Sequence, residues 1–123
     1  MALSVSTAVS ARVFILKNNT YNWNVKYREA LSIDYREGIP EHLLKPGEEV
    51  KLNSNNFYSI RRSGFGSTVV SPWADIPIAK LIVDAGGSLN PRPLDKNALA
   101  TPVVEVSSSL TLGWSFNVVW RRL

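Results

Sequence analysis

The most regular feature of the chain is an alternation of apolar and polar residues across positions 21–35. Seven of the eight odd positions carry apolar or aromatic side chains, whereas the even positions beside them are polar except Ala30. Successive side chains of a β-strand point to opposite faces, so the alternation predicts a strand with one buried face. We expect a bulge, bend or break at Glu29 and Ala30, where the pattern inverts, because strands usually run about 3–10 residues.

A second alternation runs across positions 104–120, where the even positions carry the apolar side chains. Only Ser108 interrupts this face, and Gly113 marks a natural place for a bend or a close backbone approach. We predict that these two segments are long amphipathic strands with buried apolar registers. A shift of either register by one residue would expose every apolar side chain on it.

Shorter apolar runs bounded by turn residues predict the other elements. Residues 13–16 are continuously apolar, which is typical of a strand covered on both faces, and residues 18–20 follow as its turn. We expect further strands at 48–52, 57–61, 68–71 and 79–83, one helical turn at 39–44, and a mobile connection at 90–102. Short strands with frequent turns predict an all-β fold, an antiparallel sandwich or barrel, formed by the whole chain as one domain.

Composition narrows the possible functions mainly by exclusion. The chain has no cysteine, which excludes disulfides, thiolate metal sites and cysteine nucleophiles, and His42 is its one histidine. No phosphate-binding loop, EF-hand spacing or nucleophile elbow occurs. Asp34 and Glu105 could face each other as paired carboxylates, but both fall on polar, solvated faces. We therefore expect no enzyme, no cofactor and no metal.

The sequence carries no targeting pattern that we can identify. Its Ser- and Ala-rich start lacks a basic segment and an unbroken apolar run, and no stretch approaches the roughly 18 apolar residues of a membrane-spanning helix. We expect a cytoplasmic protein, or one secreted without a recognisable signal peptide. Residues 18–20 form a glycosylation triplet, which we expect to be idle.

Basic residues exceed acidic ones by 14 to 10, a net charge of +4 that modestly favours anionic partners. Lys26, Arg28, Arg61 and Arg62 interleave with aromatic residues, a pattern also found in proteins that bind single-stranded nucleic acid. The alternation turns those aromatic rings inward, so we expect a solvated basic face instead. Nucleic-acid binding is accordingly the less favoured alternative.

Two aromatic residues lie in predicted loops rather than on an apolar register. Trp73 follows Pro72, and Phe65 stands between Gly64 and Gly66. Loops on a rigid sandwich often carry recognition, so we predict that these rings form an apolar ligand-binding tip. The alternative is that both rings fold back as lids over the core.

Part of the chain resembles a known family. The segment LKPGEEV at 44–50, then LNS at 52–54 and SGFGST at 63–68, resembles the middle of aegerolysins, small β-sandwich proteins of fungi and bacteria that bind membrane lipids. The resemblance consists of a turn, a strand and a glycine loop, and the basic pI and the C-terminal half depart from the family. It implies a sandwich and a lipid ligand, and no functional residue is carried over.

These observations favour a non-catalytic protein that recognises a lipid membrane or a glycan surface through Phe65 and Trp73. An alternative form of this function is insertion into the membrane, because the alternation at 104–120 also occurs in barrel-forming membrane strands. A self-assembling structural protein, a homo-oligomer whose long strands extend a sheet between subunits, is the second class. A basic nucleic-acid-binding protein is the third.

Overall fold

Two four-stranded sheets pack face to face as a β-sandwich, which confirms the predicted all-β fold. The structure is a computed structural model that describes residues 13–63, 71–88, 97, 99–108 and 113–122. Its strands are β1 (Val13–Asn18), β2 (Asn24–Ala30), β3 (His42–Leu44), β4 (Glu49–Asn53), β5 (Phe57–Ser63), β6 (Ala74–Asp75), β7 (Thr101–Ser108) and β8 (Trp114–Arg121), and helix α1 (Ile78–Asp84) follows β6. Sheet 1 has the order β4-β1-β7-β8 and sheet 2 the order β3-β2-β5-β6, so within these residues neither sheet closes into a barrel.

The core lies between the inner faces of the two sheets. β1 contributes Phe14 and Leu16 to it, and β5 contributes Tyr58 and Ile60. The rings of Phe14 and Tyr58 meet edge to face with their centroids 5.4 Å apart. The other buried apolar members are Val25, Tyr27, Leu44, Ile76, Ile78, Ile82, Val104 and Val106. Burial of each large apolar side chain contributes about 1.5–3 kcal/mol to holding the sheets together.

The central strand β1 is covered on both faces, as its continuous apolar sequence predicts. It runs antiparallel to β4 and parallel to β7, with Ile15 opposite Val103 on the outer face, and both of these residues are buried. In the register of the four strands, Ile15 and Val103 lie on the diagonal that runs from Arg121 of β8 to Glu49 of β4. Arg121 and Glu49 form a bidentate ion pair with N–O distances of 2.8 and 2.9 Å. This ion pair therefore spans the centre of the outer face of sheet 1.

The C-terminal alternation forms a hairpin rather than one long strand. β7 and β8 pair antiparallel, with Val104 opposite Val118 and Val106 opposite Phe116. Because even residues lie opposite even residues, the apolar face continues in phase from one arm to the other. Val104 and Val106 are fully buried, whereas the large side chains of β8, at the edge of the sheet, are half-buried. The predicted burial is therefore confirmed for β7 and only partial for β8.

The N-terminal alternation forms a strand only in its middle. β2 ends at Ala30, at the predicted break, and its inward residues Val25 and Tyr27 are buried. Outside the strand, Tyr21, Leu31 and Ile33 are 97%, 86% and 70% exposed. The prediction of one buried register across the whole segment is wrong at both ends, because in the described chain residues 21–23 and 31–35 pair with no neighbouring strand that would hold them over the core.

Two of the short elements differ from the prediction. Residues 39–44, predicted as a helical turn, contain the edge strand β3, and residues 79–83, predicted as a strand, belong to α1. In α1, Ile78 and Ile82 lie one turn apart and are both buried, so the helix covers the core with one face. Pairing with β2 decides the conformation of β3, since a three-residue segment carries little propensity of its own.

Two other predicted segments lie largely outside the described residues. Of the predicted strand 68–71, the structure describes Ser71, which is not in a strand. Most of the predicted connection 90–102 is likewise outside, but its last two residues belong to β7.

Trp120 of β8 fastens α1 to sheet 1. Its indole Nε1 donates a hydrogen bond to the carbonyl oxygen of Ala85 at 2.9 Å. A Cβ atom at Gly87 would collide with the Trp120 ring and approach Ile82, so any larger residue there would require the ring to move.

Asn18, the last residue of β1, is hydrogen-bonded to β3 and to the residue that precedes β2. Its fully buried side-chain amide donates to the carbonyl oxygens of Trp23 and Leu44, both at 2.8 Å, and its Oδ1 accepts from the backbone N–H and the hydroxyl of Thr20. Every polar atom of this amide is therefore used in the folded protein. The glycosylation triplet that begins at Asn18 is accordingly closed to modification in the folded chain.

Candidate functional site

The outer face of sheet 2 brings together cations and aromatic rings from separate parts of the sequence. Lys26 of β2 lies opposite Arg61 of β5, and Arg28 lies opposite Ser59. Tyr35, after β2, and Trp73, before β6, pack against these arginines. We refer to Lys26, Arg28, Tyr35, Arg61 and Trp73 as the arginine–aromatic face.

Arg28 is clamped by two rings. Its Cζ lies 4.4 Å from the ring centroid of Tyr35 and 4.2 Å from that of Trp73, and its Nε donates to Ser59 Oγ at 2.7 Å. In the described part of the chain no carboxylate forms an ion pair with Arg28. The guanidinium is therefore oriented in advance and makes no direct ion pair, although Asp75, opposite Ser59 on β6, places a carboxylate on the same face. Its planar fork matches a carboxylate or phosphate group.

Arg61 belongs to the same face but has an acidic partner. Its Cζ lies 4.6 Å from the Trp73 centroid, and its Nη2 lies 2.7 Å from Glu41 Oε1. Glu41 is also 3.9 Å from the ammonium nitrogen of Lys26. One carboxylate thus offsets part of the charge of two cations, which leaves Arg28 as the cation of this face best placed to attract an anion.

Trp73 does not stand at the tip of a free loop. It is half-buried, and its ring lies against both Arg28 and Arg61 on the outer face of the sheet. This placement also differs from a lid over the core. A role of Trp73 in ligand binding stays a prediction, and its predicted companion Phe65 lies outside the described residues.

The prediction that Arg62 belongs to the basic face is wrong. Lys26, Arg28 and Arg61 point outward, but Arg62 is only 3% exposed and lies opposite Val25 with its side chain between the sheets. Its Nη1 donates to Ser108 Oγ at 2.7 Å, and its Cζ lies 5.5 Å and 5.9 Å from the ring centroids of Trp23 and Trp114. Neighbouring residues of a strand point to opposite faces, so Arg61 and Arg62 cannot share one.

A cavity of about 410 Å³ adjoins the arginine–aromatic face. Apolar side chains make most of its wall, among them Ile33, Phe57, Ile76, Ile78 and Ala79, and the other lining residues are Tyr35, Ser54, Asn55, Asn56, Tyr58, Asp75, Pro77 and Lys80. Its volume lies within the range of about 300–1,000 Å³ typical of small-molecule sites. Tyr35 belongs both to this wall and to the clamp around Arg28, so the cavity and the face are continuous.

Three titratable groups near the cavity have shifted pKa values. Burial raises the pKa of Tyr35, and the Asp75 carboxylate adds to that rise. The pKa of Tyr58 is raised by burial and by the hydrogen bond that its hydroxyl donates to Glu29. The same hydrogen bond, joined by one from the Asn56 amide, lowers the pKa of Glu29. The tyrosines therefore stay neutral and Glu29 stays ionised near neutral pH.

Several exposed apolar residues border the face. Leu43 of β3 lies opposite Lys26 and is half exposed. Phe57 precedes Ser59 by two residues in β5 and points to the same outward face. The strongly exposed Leu31 and Ile33 follow β2 on the way to Tyr35. This side of the molecule thus combines cations with unburied aliphatic and aromatic groups.

Sequence reasoning found the cations and Trp73 but missed Tyr35 and the cavity. The alternation assigned Tyr35 to the core, and no local signal shows that the chain after Ala30 folds back over Arg28. His42 is exposed and stacks on Tyr27 with the ring centroids 5.1 Å apart. In the described residues, no group of three His, Cys, Asp or Glu side chains is arranged to hold a metal.

Comparison with known protein families, curated proteins and solved structures finds no match to this chain. The resemblance to aegerolysins gains no support from it, and a function can be inferred only from the geometry of the site. No helix in the described ranges is long and apolar enough to cross a membrane.

Proposed function

We propose that this protein is a non-catalytic binding protein that attaches to the surface of an anionic lipid membrane through its arginine–aromatic face. The observation that carries the proposal is Arg28, held between Tyr35 and Trp73 with no carboxylate partner among the described residues. A guanidinium fixed in this way has little freedom left to lose when it binds a phosphate group.

The exposed apolar border supports a lipid surface over the other anionic partners. Peripheral membrane binding combines attraction between basic residues and anionic headgroups with burial of exposed apolar side chains at the interface. Ile33 and Phe57 supply such side chains in the cavity wall, which also contains the Tyr35 ring that packs on Arg28. A glycan fits this face less well, because the Trp73 ring that would stack on a sugar already contacts two guanidinium groups.

Vesicle co-sedimentation tests the proposal. Vesicles containing phosphatidylglycerol are expected to bind the protein, vesicles of phosphatidylcholine alone to bind it weakly, and added salt to reduce the binding by screening. The variant Arg28→Gln is expected to lower affinity about tenfold, since a hydrogen bond to a charged group contributes about 1.5–3 kcal/mol. Lys51→Gln on the outer face of sheet 1 removes the same charge and should have little effect.

Equal loss of binding in the two variants would indicate a net-charge effect and would contradict the assignment of the face. Single-stranded nucleic acid provides a further comparison, with the slope of log affinity against log salt expected at about −0.7 per phosphate contacted. We expect only weak binding that disappears at physiological salt. Tight binding under those conditions would favour the nucleic-acid alternative.

Self-assembly is a second candidate, which the edge strand β8 favours. Among the described strands β8 pairs only with β7, and its inward residues Trp114, Phe116 and Val118 are half-buried. A long edge strand with apolar side chains can extend a sheet into a second copy. Light scattering should then show a dimer or larger particle that Val119→Lys on β8 disrupts, whereas Val83→Lys at an exposed valine of α1 leaves it intact. A monomer at all concentrations would exclude this candidate.

A further inference from the structure

The cavity and the arginine–aromatic face offer two different kinds of contact at adjacent positions. Arg28 lies opposite Ser59, and Phe57, which lines the cavity, is the next residue of β5 on the same face. Side chains two apart on a strand are roughly 7 Å apart. A ligand with a polar head on Arg28 therefore needs to extend by only one such step to place an apolar tail in the cavity.

Arg28 favours an anionic head beside the cavity. It packs on the wall residue Tyr35 and has no ion-pair partner among the described residues. The wall itself carries Asp75 and Lys80, and Lys80 pairs with Asp84, so Asp75 adds a negative charge on this side. The head is therefore assigned to the clamped guanidinium, and Asp75 is expected to weaken its binding.

We propose that the cavity binds the chain of a single-chain amphiphile, while Arg28 binds its phosphate or carboxylate head. This inference rests on the proposed function in assigning Arg28 to anionic headgroups, and it adds that one lipid-like molecule enters the protein. Apolar lining with a few polar groups at one side is the usual composition of such sites.

Isothermal titration calorimetry with three probes below their micellar concentrations tests the proposal. Dodecyl phosphate is expected to bind saturably at one molecule per protein, and inorganic phosphate is expected to give no measurable binding. The affinity for dodecyltrimethylammonium is expected to be at least about tenfold lower than that for dodecyl phosphate. Inorganic phosphate reports binding of the head alone, and dodecyltrimethylammonium reports binding of the alkyl chain without an anionic head. Dodecyl phosphate reports recognition of both parts together. Equal binding of the two dodecyl compounds would overturn the assignment of the head to Arg28.

Variants of the cavity wall locate the chain. Ala79→Phe, at an exposed wall position of α1, is expected to fill the cavity and abolish dodecyl phosphate binding, while Val83→Phe on the same helix, outside the wall, leaves it unchanged. Ile33→Glu, at a strongly exposed wall position, should also lower the affinity by repelling the head. Asp75→Asn should raise the affinity for dodecyl phosphate, and a decrease would contradict the placement of its head on this side of the cavity. Unchanged binding in both Ala79→Phe and Ile33→Glu would overturn the proposal.

The same variants distinguish this inference from the proposed function. Ala79→Phe leaves the arginine–aromatic face intact, so its attachment to anionic vesicles is expected to stay while binding of the single amphiphile is lost. If the wild-type protein binds dodecyl phosphate but no vesicle, the membrane proposal fails and the cavity assignment stands. If it binds vesicles but no dodecyl phosphate, the cavity assignment fails and the membrane proposal stands.

Discussion

Arg61 and Arg62 are neighbours in β5, yet they occupy opposite environments. Arg61 points outward, where Glu41 lies 2.7 Å from its Nη2 and Trp73 covers its guanidinium. Arg62 points inward and is almost fully buried, with Ser108 as the hydrogen-bond partner of its Nη1. Its Nε and Nη2 are buried and have no hydrogen-bond partner in the described residues.

The difference shows that a basic residue on a strand is not by itself evidence of a basic surface. The outward arginine is half-buried and paired with Glu41, and of its guanidinium nitrogens only Nε is buried without a hydrogen-bond partner among the described residues, so its charge costs less energetically. The inward arginine carries its charge into the core, where buried donors without acceptors oppose folding. Loss of a neighbouring ring should therefore lower stability more at the inward arginine than at the outward one, and should affect anion binding at the outward one.

The largest expected effect concerns the tryptophan beside the inward arginine. Trp114→Ala removes a half-buried ring that packs against the core and lies near Arg62. We expect a loss of about 2–4 kcal/mol in the free energy of unfolding, toward the lower end of the range for large aromatic truncations because the ring is not fully buried. Urea denaturation measures this, and an unchanged midpoint would contradict the assignment of this ring to the core.

Replacing the inward arginine by an apolar residue of similar length should stabilise the protein. Arg62→Met removes a buried charge with no acidic partner in the described chain, and we expect a gain of about 1–3 kcal/mol. Arg61→Met is the matched control and should change stability by less than about 1 kcal/mol. A large loss of stability in Arg62→Met would show that this guanidinium is a structural necessity.

Trp73→Ala removes the ring beside the outward arginines, as Trp114→Ala removes a ring beside the inward one. Because Trp73 contacts Arg28 and Arg61 at the surface, we expect a loss of only about 1 kcal/mol in stability, in the range of cation–π contacts. Binding to anionic vesicles should fall clearly, since Arg28 loses half of its clamp. Thermal unfolding with vesicle co-sedimentation checks both effects, and a loss of several kcal/mol with binding preserved would show that Trp73 is a lid.

Glu41→Gln would leave Arg61, like Arg28, without a carboxylate partner among the described residues. Loss of this carboxylate frees Arg61 and Lys26 from their acidic neighbour, so affinity for anionic vesicles should rise up to about fivefold, as expected for an exposed ion pair worth up to about 1 kcal/mol. Glu48→Gln, which removes a negative charge away from this face, serves as the control. A decrease in affinity for Glu41→Gln would mean that Glu41 positions Arg61 for binding.

The smallest expected effect is a pH dependence of stability that comes from Glu29 rather than from either arginine. The hydrogen bonds from Tyr58 and Asn56 lower the folded-state pKa of Glu29, so its stabilising contribution is present above its ordinary pKa and is lost as the pH falls through the lowered value. Glu49 titrates in the same direction because of Arg121. The difference in unfolding free energy between wild type and Glu29→Gln should therefore shrink in acid, and a difference independent of pH would contradict this assignment.

Much of the core could be predicted from alternation alone, but the turn in the C-terminal segment could not. In the β7–β8 hairpin Val104 lies opposite Val118, so the apolar register has the same parity in both arms. A period of two residues is then identical for one long strand and for a hairpin. Ser108 and Gly113 mark the ends of the two arms without showing that the chain reverses between them, whereas Glu29 marks the break of the N-terminal segment and β2 ends one residue later.

The sequence by itself determined the all-β class, the absence of cysteine chemistry and the inward register of β2 and β7, because these depend on composition and on the direction of neighbouring side chains. The tertiary structure alone decided which strands became neighbours and therefore which groups meet. Tyr35, Arg28 and Trp73 are separated along the chain, and only the return of the chain over sheet 2 brings the two rings onto one guanidinium. Such contacts depend on strand order and loop path, which the period of hydrophobic residues does not encode.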